Sequence, residues 1–536
     1  MSEEKHMTQS VRRAAALLLS AVLLCLCASC DRGGEFGTEY GTQGLDEVSH
    51  GMIVLGDRLK DPYTVENMQD AVASLYPTKG RTALTPTDIY VRFLPRNNDE
   101  YDRLVNLGVE MVDHPLDYQI VQEGDYYHDP SLSEDTITWQ YAVVNAKFQF
   151  PYGIRYEVID ECYIPEKDVY TRADDGIDWA AVEQESFRLT GNTALLEPAT
   201  RAGSDPVQPS GRITVLDDRL GEEVGLKGVK IAVNTFVKYA YAHTDSDGYY
   251  TIPRSYASNI RYRIVFKNAK GFGLGVDYLL APASASTLGK NPAEGVSLVI
   301  TRESDRKLFS RAVVNNAAYD YFSMCDSRTQ PITSPPLNVR FWLFQKLGSS
   351  SAPMLQHGAL VDEGAIAEYL GTYRDLVKLL LPDITLGLKY CNDYASIYAT
   401  TCHELAHASH FRQAGTGYWN KYIAYVLRSW ASGMDVYGDG SGQDAGYCEV
   451  GEMWAYYLEN LVWRDRYGEE YNAGSSWWFN PQILTRLDDR GLNRSMIFRA
   501  LTSEVCTRAL LMEKLSALYP DSKNLIEQMF NEYSYE

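Results

Sequence analysis

The period of the hydrophobic pattern changes twice along this chain, and no single architecture accommodates all three regimes. Up to about residue 170, helical and strand-like stretches alternate. From about 208 to 304 the period is two, and from about 305 onward it is mostly that of a helix. At 536 residues the chain also exceeds what one hydrophobic core fills. The expected fold class is multidomain α+β: a mixed α/β N-terminal domain over 51–170, a β-sandwich over 208–304 and a mainly helical domain over 305–536. Residues 171–207, rich in Asp, Ala, Thr and Pro and ending in RAGSDPVQPSG, read as a linker.

In the first domain Val65–Leu75 and Asn98–Leu107 have helical spacing, while Asp88–Leu94 and Val109–Asp113 read as strands. That order suits a small open sheet with helices on one face, as in some protease prodomains; a recognition or spacer domain has the same pattern. His114 and His128 fall in loop-like contexts with no partner evident in the sequence. In the second domain the strands Gly211–Val215, Gly228–Val233 and Arg261–Phe266 surround the turn Thr244–Gly248, which leads into a further strand. The pair GVKI (Gly228–Ile231) and TDSDGYYTIP (Thr244–Pro253) resembles the carboxypeptidase regulatory-like, or transthyretin-like, domain over about sixty residues. That resemblance implies an accessory role. Asp245 and Asp247 are where an ordinary Asp/Gly turn needs them, with calcium as the lesser reading. In the third region Arg306–Phe322 and the stretches 393–413, 418–431 and 447–465 are expected helices; Leu337–Gln345 and Asp383–Leu388 are expected strands.

The first thirty residues stand apart. Arg12 and Arg13 precede an apolar run, Ala14–Leu26, with the length of a signal-peptide core rather than a membrane span. Glu3 and Glu4 spoil a basic start, so Met7 is the better initiator. The run ends in Cys27-Ala28-Ser29-Cys30. Small residues before a cysteine resemble a bacterial lipobox, with Cys27 where Leu is usual. The resemblance implies lipidation of Cys30, and so a cell-envelope lipoprotein attached to the outer membrane, facing the periplasm or the exterior. Residues 1–30 are then the signal peptide, and 31–50, Gly-rich and polar, a flexible tether.

The net charge of −21 argues against a nucleic-acid partner, because phosphate binding needs an excess of Lys and Arg. It equally argues against charge-driven docking on anionic lipid. An exported body permits disulfides, but Cys162, Cys325, Cys391, Cys402, Cys448 and Cys506 are widely spaced and show neither a disulfide framework nor a CxxC pair.

Chemistry concentrates in Cys402–His410, CHELAHASH. On a helix His403 and His407 lie one turn apart and about 40° around the axis, so both imidazoles reach one ion. Glu404 lies about 60° beyond His407, bordering the same face, where it can take a proton from an activated water. The surrounding helix is Ala-rich and reads as buried, where unpaired polar groups are costly. His410 shares the face of His407 but lies about 10 Å along the axis from His403, which places it behind the ligands or at the surface.

A catalytic zinc takes three protein ligands and keeps an open position. No histidine follows His410, so the third ligand must be a carboxylate from another helix. Gly446–Asn460 reads as that helix and carries Glu449 and Glu452 one turn apart. HExxH followed by Glu-x-Trp-Ala, here Glu452-Met453-Trp454-Ala455, resembles the gluzincin metallopeptidases, particularly the lethal-factor-like group, over about 150 residues. The resemblance implies a zincin-like domain over 305–536, Zn2+ on His403, His407 and Glu452, Glu404 as general base, and a protein or peptide substrate. Glu449 remains the alternative ligand, or a group that orients a histidine. The gluzincin pattern often places an acidic residue four positions after the ligand, where this chain has Tyr456; in the lethal-factor-like group a tyrosine near the ligand serves the oxyanion, and Tyr447 is the candidate that the resemblance implies.

Three functions fit: a zinc peptidase, a zinc hydrolase acting on another bond, or a catalytically inactive zincin-like surface lipoprotein acting as a binding module. The intact motif favours the first.

Overall fold

Side-chain caps start the three N-terminal helices. Thr64 accepts from Asn67 N at the head of α1 (Val65–Leu75), Asn97 from Glu100 N at α2 (Asn98–Asn106), and Asp178 from Ala180 N and Ala181 N at α3 (Trp179–Leu189). Each cap satisfies N–H groups that a first helical turn leaves orphaned. The computed structural model describes residues 52–78, 83–133, 136–165, 176–196, 206–275, 285–359, 383–434 and 437–533. The signal peptide, Cys30 and the tether lie outside the described residues. The architecture is multidomain α+β with a mainly helical C-terminal region.

The N-terminal strands are β1 (Val54–Arg58), β2 (Asp88–Leu94), β3 (Met111–Val112), β4 (Tyr118–Gln122), β5 (Gln140–Asn145) and β6 (Arg155–Cys162). Four of them form an antiparallel sheet ordered β3-β5-β2-β6, and β1 pairs with β4. Helix α3 corrects the expectation of a linker over 171–207. Its Trp179, Val182 and Phe187 are buried in one cluster with Tyr63, Met68 and Val72 on and before α1. The flanking Asp/Thr/Pro-rich composition hid an apolar face that packs.

The middle strands are β7 (Ser210–Asp217), β8 (Glu222–Gly225), β9 (Lys230–Thr235), β10 (Lys238–His243), β11 (Tyr249–Thr251), β12 (Ile260–Val265), β13 (Phe272–Leu274), β14 (Ala285–Asn291) and β15 (Leu298–Ile300). One sheet runs β10-β9-β12-β14; the other runs β11-β7-β15, with β8 also on β7. Ile213 and Val215 of one and Ile231, Val233, Tyr262 and Ile264 of the other share one core. Asp245 closes its turn by accepting from Asp247 N and Tyr249 N, each at 2.9 Å.

This domain is keyed into both neighbours. At the tip of the β9–β10 hairpin Phe236, at φ 47°, and Val237 enter the N-terminal core. The buried Lys238 ammonium meets Glu183 of α3 at 2.8 Å. On the other side β13 pairs in parallel with β16 (Val339–Phe344), which pairs in parallel with β17 (Ile384–Gly387). A single hydrophobic cluster then runs from Ile213 to Phe530, so residue 304 is no boundary between cores.

The C-terminal helices are α4 (Arg306–Cys325), α5 (Tyr394–Ala414), α6 (Thr416–Ala431), α7 (Ala445–Tyr467), α8 (Gln482–Asp488), α9 (Arg494–Phe498), α10 (Arg508–Leu518) and α11 (Lys523–Asn531). Asp393 and Ser396 close a capping box at the head of α5, which packs against α4 and α7. Helix α5 is buried nearly all round, as suits the central helix of a layer. Among the described residues the six cysteines from Cys162 to Cys506 form no disulfide, and all are buried except the half-buried Cys506.

Candidate metal centre

Helix α5 turns three consecutive polar groups of its motif into the protein. His403, Glu404 and His407 are 2%, 0% and 1% exposed. Helix α7 crosses beside it and delivers Glu452, fully buried. The crossing is pinned by Trp454, whose Nε1 donates to the Ala406 carbonyl on α5 at 3.1 Å. That bond is the structural use of the Trp in the Glu-Met-Trp-Ala stretch.

The Glu452 carboxylate straddles the two imidazoles. Oε2 lies 3.6 Å from His403 Nε2, and Oε1 lies 3.5 Å from His407 Nε2. One donor atom from each of the three residues falls within 4.8 Å of the others. A tetrahedral ion with bonds of about 2.1 Å needs donor atoms roughly 3.4 Å apart, so this group can bind a metal ion. Burial pushes the Glu452 carboxyl up, but His407 and His403 outweigh it and hold it down at about 2, in the ionised form a ligand needs.

Neighbours fix the donors. His403 Nδ1 hydrogen-bonds Glu459 Oε2 at 3.0 Å, which leaves Nε2 toward Glu452. The Tyr456 ring stands edge-on to His403, centroids 4.5 Å apart. Tyr422, on α6, donates its hydroxyl to Glu452 Oε1. His407 is held by packing against Trp419 and Tyr422, and its Nδ1 makes no hydrogen bond among the described residues.

Glu449, the alternative ligand, is engaged elsewhere: it accepts from Arg508 N at 3.0 Å and faces Arg508 Nε at 2.8 Å. His410 is fully buried between Tyr418 and Trp419, outside the ligand group. Burial, and then the nearby His407, push its pKa down to about 3, so it is neutral. Tyr447 points to Lys421, whose Nζ donates to its hydroxyl at 3.0 Å, and it does not line the cavity beside the histidines.

That cavity has a volume of about 360 Å³. His403, Glu404, Tyr456 and Glu459 form one part of its wall; Ser350, Gly387, Tyr390, Tyr471 and Trp477 form others. Glu404 therefore fronts the same space as His403, the member of the ligand group that lines this cavity. Neither protein-family models, curated proteins nor solved structures match this chain.

Two site residues escaped the sequence reading. Glu459 follows Glu452 by seven positions, two helical turns, and so shares its face; the family pattern places an orienting acid one turn after the ligand, where Tyr456 stands. Tyr422 lies on another helix and carries no local signal.

Proposed function

We propose that this chain is a zinc-dependent peptidase. The observation that carries the reading is the buried His403–His407–Glu452 group, of which His403 shares a cavity wall with Glu404. Two imidazoles and one carboxylate suit zinc and leave a position open. Zinc held there supplies a Lewis acid that activates a water at neutral pH and polarises a carbonyl.

The protein groups divide the remaining work. Glu404 takes the proton of the attacking water and passes it to the leaving amine. Glu459 holds His403 in the tautomer that keeps Nε2 free to ligate. Tyr422 steadies the carboxylate of Glu452. Tyr456, on the cavity wall, replaces Tyr447 as the candidate donor to the carbonyl oxygen. The substrate is a peptide or protein segment that enters beside Tyr390, Tyr471 and Trp477. A lipid on Cys30 anchors the chain at the cell envelope, and Cys30→Ser is expected to release it from membranes.

Elemental analysis of the purified chain beside a Glu452→Ala control tests the reading. About one zinc per chain, lost in the control, together with turnover of a peptide library, supports it. Zinc without turnover of any peptide favours another hydrolase or the binding-module alternative. No zinc after reconstitution sinks it.

A further inference from the structure

A separate cavity of about 100 Å³ lies where the N-terminal domain meets the sandwich, and it shares no lining residue with the metal-site cavity. Tyr101, Met111 and Gln140 supply part of one wall; Lys230, Arg263 and Lys267 supply part of the other. Arg263, on β12, is 5% exposed. Its Nη1 lies 3.3 Å from His114 Nε2. Its Nε and Nη2 are buried and meet no hydrogen-bond acceptor among the described residues. These two nitrogens carry the parallel N–H bonds on one edge of the guanidinium, the fork that takes both oxygens of a carboxylate or phosphate. A buried charge with two unmet donors is costly, and arginine cannot escape by losing its proton.

The acidic groups in this wall are already engaged. Glu110 holds Lys230. Asp113 faces His114 Nδ1 and accepts from Tyr127 N, each at 2.8 Å. Asp125 binds Lys307 at 2.6 Å and Arg311 at 3.0 Å. The Lys267 ammonium has no ion pair among the described residues, and burial followed by the charge of Lys230 lowers its pKa. An incoming anion would relieve both cations.

We propose that this cavity binds a small oxyanion, a carboxylate or a phosphate, on the Nε/Nη2 fork of Arg263 with Lys267 as the second charge. The volume admits a group of a few heavy atoms and excludes a nucleotide or a peptide.

The test titrates the full chain with acetate, phosphate or sulfate against chloride at constant ionic strength and follows thermal unfolding. The titrations use the Glu452→Ala background, which removes the metal centre as an alternative anion site. A saturable rise in Tm with at least one anion is expected, and the anion that wins separates a carboxylate from a phosphate or sulfate ligand. Arg263→Met is expected to weaken the apparent affinity by roughly tenfold or more, and Lys267→Met by less. Should Arg263→Met not fold, the Lys267→Met titration decides. A response that never saturates, or a saturable one that the folded variants leave unchanged, overturns the proposal and leaves water as the occupant.

Discussion

His403 and Glu459 are joined by a 3.0 Å hydrogen bond from α5 to α7, while the same imidazole turns its other nitrogen toward Glu452. Glu452 and Glu459 sit two turns apart on α7. One face of one helix therefore supplies both a carboxylate that can bind a metal ion and the carboxylate that orients His403. This division of labour keeps the His403 imidazole from rotating.

Glu459→Ala is expected to lower metal affinity by roughly 10–100-fold, because His403 loses the acceptor that sets its tautomer and ring angle. Competition with a chromogenic chelator reads this directly. Unchanged affinity would mean that packing against Tyr456 alone positions the ring.

Glu404→Gln is expected to keep the metal and to lower turnover by roughly 10²–10⁴-fold, since the amide cannot accept the proton. Metal analysis and peptide hydrolysis on the same preparation separate the two effects. Retained turnover would remove Glu404 as the base.

Glu449→Ala and Glu452→Ala are expected to behave oppositely. The first breaks the pair with Arg508 and costs about 3 kcal/mol of stability while zinc content stays unchanged. The second abolishes zinc binding. Denaturant unfolding alongside elemental analysis checks both, and the reverse ranking would move the ligand to Glu449.

Asp61 predicts a pH dependence in the N-terminal domain. Burial pushes its carboxyl up to about 8, against the hydrogen bond it accepts from Tyr63 N. Its Oδ2 makes no hydrogen bond among the described residues. A pKa raised on folding contributes stability that is full below the unfolded value of about 3.9 and is lost as pH rises toward 8. Asp61→Asn keeps the acceptor and has no charge to bury. It is expected to stabilise the protein at pH 8, by an amount on the order of a few kcal/mol, and to change little at pH 4. Equal effects at both pH values in thermal unfolding would show that Asp61 stays ionised.

Local pattern made much of this protein legible. Helix Val65–Leu75 and strand Asp88–Leu94 occupy their expected bounds, because apolar spacing and flanking turn residues act over a few positions. Strands β4, β5 and β6 escaped notice. Their partners are distant in sequence, and β4 and β6 expose residues on both faces, which blurs the period of two. Helix α3 was hidden by its Pro- and Thr-rich surroundings.

The sequence by itself determined that His403 and His407 share a helix face bordered by Glu404, since one helical turn follows from spacing alone. It also narrowed the third ligand to Glu449 or Glu452. The resemblance at Glu452–Ala455 already pointed to Glu452, and the tertiary structure sets Glu452 beside the histidines while Glu449 pairs with Arg508. The two glutamates lie one turn apart on α7, and which one faces the histidines depends on how α7 is rotated against α5 by the Trp454–Ala406 bond and on where Arg508 sits. The placement of Glu459, Tyr422 and the Arg263 fork was likewise decided by packing between segments far apart in the chain, where sequence spacing carries no distance.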